Sequence, residues 1–214
     1  MVAKRIFDLV FTIPGLILLT PVFIIIAIWI RLDSPGPVFF RQVRVGRQGK
    51  LFRIFKFRTM VVNAEQMGAQ ITVGEDRRIT RSGKYLRKYK LDELPQLFNV
   101  LRGHMSLVGP RPEVPKYVEF YPPEIKNIVL SVPPGITDIA SIEYRDESDI
   151  LGRAKDPEKV YVEEILPVKL AYYLKYVRER NLLQDFLIVL RTFLAIARGS
   201  KANPTETGKM GIHG

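Results

Sequence analysis

The chain has 214 residues, a length that suits one domain with its own hydrophobic core, or such a domain with an added membrane element. Hydrophobic residues make up 47% of the chain and charged residues 26%, so a disordered or collagen-like chain is excluded. Cysteine is absent and histidine occurs twice, which excludes disulfide scaffolds, cysteine-bound metals and thiol catalysis, and disfavours a Ser-His-Asp triad. Any chemistry must therefore use carboxylates, arginines, lysines or hydroxyls.

The formal net charge is +11, and it is unevenly distributed. Residues 31–60 carry a net charge of +7 and residues 61–111 carry +4, whereas residues 112–214 carry −1. This asymmetry predicts a polyanionic partner for the first half of the chain, such as a phosphorylated substrate, acidic lipid head groups or nucleic acid.

The first predicted element is an apolar helix, because residues 9–30 contain no formal charge and are numerous enough to cross a bilayer. A signal peptide is disfavoured, since the apolar run is too long and is followed by Arg31-Leu-Asp-Ser-Pro rather than by a small-residue cleavage site. The segment is therefore expected to stay attached.

Two features of this helix favour a re-entrant course over a simple span. Thr20-Pro21, with Pro14 before it, interrupts the run, and an interior proline removes a backbone hydrogen bond and kinks a helix. Basic residues flank both ends, and the positive-inside rule would keep both on the cytoplasmic side. We predict a helix that breaks at Thr20 and Pro21 and returns, with the Thr20 hydroxyl bonding the carbonyl that Pro21 frees. An ordinary span and a buried helix of a soluble protein remain alternatives.

The remaining pattern predicts one β-hairpin followed by helices. Residues 37–60 read as two strands around Gly46 and Gly49, with clear alternation from Leu51. Residues 61–81 read as a loop with a short helix near 64–67, and residues 82–101 read as helical up to Gly103, a natural residue after a helix end. Residues 124–130 and 157–198 are also helical, the latter in two segments that change near 179–181. The fold class is therefore α+β, mostly helical.

The densest group of chemical candidates is the sequence LDELPQL, which contains Asp92 and Glu93. Pro95 is tolerated only in the first turn of a helix, so a new helical turn is expected to begin near these two carboxylates. A helix N-terminus favours anions, and adjacent helical side chains point about 100° apart, so the two could play different roles. The alternative is that Asp92 caps the helix and Glu93 is solvated.

Basic residues form the other candidates. Arg111 lies in GPRP, where the flanking prolines restrict the backbone and could aim its guanidinium at a phosphate. Lys56 and Arg58 lie in KFRT, and Arg145 follows the PGIT sequence at 134–137. Taken singly, each is equally compatible with a solvated basic surface. No GxxxxGK[ST] or GxGxxG pattern occurs, which disfavours a P-loop kinase or a Rossmann oxidoreductase.

Each of these motifs is weak by itself, but their combination is specific for one family. The chain resembles the bacterial sugar transferase family. These are polyprenyl-phosphate hexose-1-phosphate transferases, also called monotopic phosphoglycosyl transferases. The resemblance covers residues 3–198, in order. It rests on the broken apolar helix, FxQxRxGxxG at 40–49, KFRTM at 56–60, DxRxT at 76–80, LRxxxLDELPQLxNVLxG at 86–103, MSLVGPRP at 105–112 and PGIT at 134–137.

The resemblance implies an enzyme that moves a sugar 1-phosphate from a UDP-sugar to a polyprenyl phosphate such as undecaprenyl phosphate, releasing UMP. This would be the first membrane step of glycoconjugate synthesis, at the cytoplasmic face of the bacterial inner membrane. Asp92 would be the nucleophile that forms a covalent phosphosugar intermediate, Glu93 its partner, and Mg²⁺ a required cofactor held by Asp92 and Glu93. The expected phosphate contacts are Lys56, Arg58, Arg87, Arg111 and Arg145.

The expected domains are a re-entrant anchor at residues 1–32 and a catalytic domain at 33–198 with amphipathic helices at the membrane interface. The composition of residues 199–214, which are mainly Gly, Lys, Asn, Pro and Thr, predicts a flexible tail. The expected partners are the UDP-sugar, polyprenyl phosphate and membrane lipids, with a homodimer compatible and nucleic acid excluded. The chain departs from many relatives after PGIT, where Asp138, Ile139 and Ser141 replace Gly, Trp and Gln. Sugar selectivity therefore does not transfer from those relatives.

Two competing interpretations come from other functional classes. A non-catalytic membrane-anchored protein would use Asp92 as a helix cap and the arginines to bind anionic lipid. A basic nucleic-acid-binding protein would explain the charge but not the apolar N-terminus, and the basic half lacks the pattern of a recognition helix.

Overall fold

The computed structural model describes residues 2–67, 76–144 and 147–198, apart from the side chains of Glu65 and Arg198. The predicted phosphate contact Arg145 and the predicted tail at 199–214 lie outside the described residues. The α-helices are α1 (Val2–Asp33), α2 (Arg81–Lys88), α3 (Gln96–Leu101), α4 (Pro115–Val118), α5 (Pro123–Val129), α6 (Ile139–Glu143), α7 (Glu147–Gly152), α8 (Pro157–Val160), α9 (Leu166–Glu179) and α10 (Leu182–Arg198). The strands are β1 (Phe39–Val45), β2 (Leu51–Phe57), β3 (Ser106–Val108) and β4 (Gly135–Thr137), so the α+β fold class is confirmed.

The N-terminal apolar segment forms one helix, α1, with Pro14 and Pro21 inside it. The predicted break at Thr20 and Pro21 is therefore wrong, because the helix continues through both residues. Each proline removes only one backbone hydrogen bond, and the turns on either side keep the helical course. The Thr20 hydroxyl donates to the carbonyl oxygen of Leu16 at 2.8 Å, one residue before the carbonyl that Pro21 leaves free.

Both ends of α1 are attached to the same folded body. Near its start, Arg5 Nη2 donates to the carbonyl oxygen of Leu101 at the end of α3, at 2.9 Å. At its end, the Asp33 carboxylate accepts from the backbone N–H of Ser82 (2.9 Å), in the first turn of α2. The helix therefore lies along the domain instead of leaving it at one end.

The flank of α1 that faces away from the domain is apolar and exposed. Only 11% of its most apolar stretch is buried, which does not fit the core helix of a soluble protein. By length and composition, α1 could cross a membrane. The exposed apolar side chains of α1 include Ile6, Val10, Ile13, Ile17, Leu18, Ile24, Ile25 and Ile28.

Helix α10 is amphipathic, as expected. Asp185 and Ile188 are buried, whereas the other side of the helix exposes Leu183, Phe186, Leu190 and Phe193. Lys4 of α1 forms an ion pair with Asp185 of α10 at 2.9 Å. The start of α10 therefore lies next to the start of α1.

The predicted hairpin is confirmed. Strands β1 and β2 are antiparallel, Arg41 lies opposite Phe55, and a 3₁₀ turn at Arg47–Gly49 joins the strands. Because side chains alternate across a strand, Lys56 points to the face opposite that of Phe55. The hairpin thus presents one face with Lys56 and another with Arg41 and Phe55.

A second sheet, which the sequence did not predict, joins two of the motifs. Strands β3 and β4 are parallel, and beyond them the Gly109 N–H donates to the carbonyl of Thr137 at 3.1 Å. The Gly135 N–H donates to the carbonyl of Pro110 at 2.9 Å. A Cβ on Gly135 would lie 2.1 Å from the Gly109 nitrogen, so only glycine permits this approach. The GPRP and PGIT sequences are therefore in direct contact.

The helix predicted over residues 82–101 is two helices with a turn between them. Lys90 adopts a left-handed conformation (φ 55°) after α2, and a 3₁₀ turn at Leu91–Glu93 precedes α3. Gly103 has a φ of +79° after α3, as its predicted position at a helix end requires. The break between the last two helices falls between Glu179 and Leu182, where it was predicted.

Candidate active site

Asp92 lies on the 3₁₀ turn between α2 and α3 and is buried, with 6% of its surface exposed. Its Oδ1 atom is buried and has no hydrogen-bond partner among the described residues. Pro95, not Asp92, occupies the position before the first residue of α3, and no side chain caps this end of the helix. The interpretation of Asp92 as a helix cap is therefore wrong. An unpartnered buried carboxylate oxygen is destabilising, and such groups are typical of functional sites.

Glu93 is the anionic partner of two of the predicted phosphate contacts. Lys56 Nζ lies 3.0 Å from Glu93 Oε1, and Arg111 Nη1 donates to Glu93 Oε2 at 3.0 Å. Arg111 Nη2 makes a second hydrogen bond, to Glu93 Oε1, so the arginine binds the carboxylate in a bidentate manner. Glu93 is not solvated, and Lys56 and Arg111 meet at the site as expected.

The two carboxyl groups titrate differently because their partners differ. Burial raises the pKa of Asp92; Lys56 opposes this effect and the Glu93 charge reinforces it. Burial also acts to raise the pKa of Glu93, but Arg111 and Lys56 outweigh it and hold that pKa well below its usual value. Glu93 is thus a permanent anion, whereas Asp92 is a carboxylate kept in an unfavourable, poorly solvated position.

Arg87 of α2 also belongs to the site. Its Nε donates to Thr59 Oγ1 at 3.0 Å, and burial lowers its pKa while the Asp92 charge opposes that change. The position of the guanidinium near Asp92 agrees with its predicted role.

Arg58 is not at the site, which corrects its prediction as a phosphate contact. Its Nη1 donates to the carbonyl of Pro35 at 2.5 Å, and its Nη2 donates to the carbonyl of Ser34 at 2.8 Å. A further contact reaches the carbonyl of Ile30 at 3.5 Å, in the last turn of α1. The guanidinium binds one carbonyl group in the last turn of α1 and two just beyond it, so Arg58 fixes the end of α1.

Two residues near the site were not among the predicted functional residues. Arg44 donates to the carbonyl of Pro112 at 3.1 Å and so joins the hairpin to the GPRP segment. Two features of the sequence could have identified Arg44: it is the arginine of FxQxRxGxxG, and strand alternation places it on the same face of the hairpin as Lys56. Asp138 is buried and accepts from the Ser141 N–H at 3.0 Å. Burial raises the pKa of Asp138, while Ser141 and Arg111 oppose this.

Asp92 and Glu93 differ in their fit to Mg²⁺. Within the described part of the chain, no cluster of three or more acidic or histidine side chains could hold a metal ion by itself. Mg²⁺ is, however, often held by one or two carboxylates together with waters and substrate phosphates. The unpartnered Oδ1 of Asp92 fits such a site, whereas both oxygens of Glu93 are engaged by Lys56 and Arg111.

The site therefore combines a buried carboxylate with three cations, Lys56, Arg87 and Arg111. A carboxylate is a nucleophile at neutral pH, and clustered cations neutralise the charge of a phosphate that would otherwise repel it. This arrangement can hold a phosphate group next to the Asp92 carboxylate.

Comparisons with known proteins identify the family of the chain. A family model described as bacterial sugar transferase matches residues 1–199. The chain is 39% identical, over 198 residues, to a UDP-N-acetylgalactosamine-undecaprenyl-phosphate N-acetylgalactosaminephosphotransferase of Aeromonas hydrophila, covering 92% of this chain and 44% of that protein. It is 39% identical, over 199 residues, to a UDP-glucose:undecaprenyl-phosphate glucose-1-phosphate transferase of Escherichia coli (strain K12), covering 92% of this chain and 40% of that protein. The chain thus spans less than half the length of these two relatives.

Proposed function

Since the chain belongs to the bacterial sugar transferase family, we propose that it transfers a sugar 1-phosphate from a UDP-sugar to a polyprenyl phosphate and releases UMP. The observation that carries this proposal is the buried Asp92, with an unpartnered oxygen, beside Lys56, Arg87 and the Arg111–Glu93 pair. The relatives' names specify both kinds of substrate, a UDP-sugar and undecaprenyl phosphate.

The reaction proceeds in two displacements. An oxygen of the Asp92 carboxylate attacks the phosphorus that carries the sugar, a new phosphorus–oxygen bond forms, and the bond to the bridging oxygen breaks to release UMP. A phosphate oxygen of the polyprenyl phosphate then attacks the same phosphorus, which yields the lipid diphosphate sugar and frees Asp92. Two separate steps avoid holding two bulky substrates at once in one attack geometry.

The cations bind and orient the donor. Lys56 and Arg111 are ion-paired to Glu93 and so are held beside Asp92. Arg111 Nη1 also donates to the carbonyl of Ile136 at 3.5 Å, so of the five N–H groups of the guanidinium, the Nε–H and one N–H of Nη2 are left to donate to a phosphate. Glu93 acts as the residue that positions both cations. Mg²⁺, when bound at Asp92, would add positive charge that polarises the diphosphate.

We also propose that α1 lies in the cytoplasmic leaflet of the bacterial inner membrane without crossing it. Its attachment to the domain at Arg5 and Asp33 supports this, because a domain that holds both ends of a helix keeps them on one side. The exposed apolar sides of α1 and α10 would lie at the interface and bring Asp92 to the depth of lipid phosphates.

Cysteine labelling tests this topology directly, since the chain has no cysteine of its own. Ala3→Cys and Pro35→Cys, both at exposed positions and introduced one at a time, are expected to react with an impermeant maleimide only from the cytoplasmic side. In sealed right-side-out vesicles, neither should be labelled until the membrane is opened. Labelling of one position from outside and the other from inside would mean that α1 spans the bilayer.

The proposed activity is tested with a panel of UDP-sugars, undecaprenyl phosphate and Mg²⁺, with UMP release and the lipid diphosphate sugar as the two readouts. At least one UDP-sugar is expected to yield both products, and omission of Mg²⁺ should stop turnover. The same protein would instead be a non-catalytic lipid-binding protein if it bound membranes but released no UMP from any of the donors.

A further inference from the structure

A pair of arginines lies on one aromatic ring, on the hairpin face opposite Lys56. The guanidinium carbon of Arg41 is 4.5 Å from the centre of the Phe55 ring, and that of Arg102 is 4.9 Å from the same centre. Arg41 comes from β1 and Arg102 from the end of α3, so the structure brings together cations that are distant in the chain. Neither participates in the site around Asp92.

Within the described part of the chain, no acidic group is paired with either arginine. No ion pair joins Arg41 or Arg102 to a carboxylate within residues 2–67, 76–144 and 147–198. Two guanidinium groups on one ring repel each other, and a bound anion would relieve this repulsion. Stacking on Phe55 holds the cations in place, which reduces the conformational entropy lost on binding an anion.

The surroundings of the pair connect it to the membrane helix. The Phe55 ring lies 6.3 Å from that of Phe98, and Phe98 lies 5.9 Å from Phe23 of α1. Arg102 follows Leu101, whose carbonyl binds Arg5 of α1. The arginine pair therefore lies beside α1.

Exposed apolar side chains surround the two cations. Phe39 and Val43 flank Arg41 on the same face of β1, with 37% and 39% of their surfaces exposed, and Leu101 is 41% exposed. A surface for a soluble polyanion would not need exposed apolar groups, whereas a membrane interface accommodates both kinds of group together.

We propose that Arg41 and Arg102, stacked on Phe55, form a binding site for the phosphate of an anionic membrane phospholipid. The site would hold the hairpin against the bilayer at the depth of the head groups, beside α1. It is separate from the phosphate contacts of the reaction, because Lys56 and Arg111 lie with Glu93 on the other side of the hairpin.

The test compares the full-length protein with two double variants of equal charge loss. Arg41→Gln/Arg102→Gln removes the stacked pair, and Lys50→Gln/Arg53→Gln removes two exposed cations of the same hairpin that stack on no aromatic ring among the described residues. Binding is measured by flotation with vesicles of two parts phosphatidylcholine to one part phosphatidylglycerol, and with vesicles of phosphatidylcholine alone.

The first variant is expected to bind the anionic vesicles at least about thirtyfold more weakly than the unaltered protein, since each arginine near the surface contributes about 1 kcal/mol, and the second is expected to lose much less. All three should bind neutral vesicles alike. Equal losses in both variants would overturn the proposal, because they would indicate diffuse attraction; so would a loss that also appears on neutral vesicles. An alternative outcome is that the first variant binds phosphatidylglycerol vesicles as well as the unaltered protein does, but binds neutral vesicles that contain polyprenyl phosphate more weakly. That outcome would overturn the proposal and assign the arginine pair to the acceptor substrate.

A second readout separates this site from the reaction. In detergent micelles with excess substrates, UMP release by Arg41→Gln/Arg102→Gln is expected to equal that of the unaltered protein. A marked fall would overturn the proposal, since the arginines would then act on substrate. If the unaltered protein released no UMP, the proposed function would fail, but the vesicle comparison would still decide the lipid site.

Discussion

Asp92→Asn is expected to abolish UMP release, with a loss of at least about 10⁴-fold, and to abolish the covalent phosphosugar adduct. The substitution preserves the size of the side chain but removes the anion that attacks phosphorus. Family resemblance assigns the nucleophile to Asp92, and the structure leaves its Oδ1 unpartnered while both oxygens of Glu93 are engaged. The measurement is intact-protein mass spectrometry after mixing with UDP-sugar and Mg²⁺ in the absence of polyprenyl phosphate.

Glu93→Gln is the matched control for this experiment. It should slow turnover, because Lys56 and Arg111 lose their shared anion, yet an adduct should still be trapped on Asp92. An adduct that persists in Asp92→Asn, or maps by peptide sequencing to Glu93, would show that the two roles have been assigned the wrong way round.

The same Asp92→Asn variant should fold at least as stably as the unaltered protein at neutral pH. Burial raises the pKa of Asp92 in the folded state, so above that pKa the ionised group opposes folding. The stability gained by removing the charge is therefore largest at neutral pH. It disappears as the pH falls and the native carboxyl group becomes protonated. A higher midpoint of thermal unfolding together with lost activity would exclude misfolding as the cause.

The elements that the sequence predicted well are those fixed by local signals. Alternation and two glycines identify the hairpin, and Pro95 marks the turn that carries Asp92 and Glu93. A local signal also gave the wrong prediction of a break at Pro21, because the loss of one backbone hydrogen bond did not end α1. Strands β3 and β4 are three residues each, too short for a periodic signal, and their pairing joins distant segments.

The geometry of the site depends on contacts that no local pattern contains. Glu93 is bound by Lys56, which is 37 positions away, and by Arg111, which is 18 positions away. Arg58 matched a phosphate-binding pattern in a basic motif, but its guanidinium is occupied by carbonyl groups at the end of α1. Whether a basic residue serves a substrate or a helix end is decided by the packing of α1 against the hairpin, which the sequence alone does not define.

Arg111→Ala is expected to lower turnover by about 10²–10³-fold, the usual loss when a preorganised charge-stabilising donor is removed from an active site. The expected change in membrane partitioning is far smaller, since one arginine near an anionic surface contributes only about 1 kcal/mol. Arg53→Ala, at an exposed position of β2, is the control for loss of charge alone and should leave turnover unchanged.

Arg111→Ala also removes two hydrogen bonds from Glu93 and leaves this half-buried carboxylate with Lys56 as its cation. Breaking a fully buried pair costs about 3–5 kcal/mol of stability, and we expect a smaller cost for this partly exposed pair, so turnover must be normalised to the folded fraction measured by circular dichroism. Arg111→Lys separates the two contributions. A lysine keeps the charge near Glu93 but cannot form the bidentate contact, so we expect stability close to that of the unaltered protein and a turnover between that of the unaltered protein and that of Arg111→Ala. If turnover and membrane partitioning fell by equal factors in Arg111→Ala, the arginine would serve to anchor the protein to lipid rather than to bind the diphosphate.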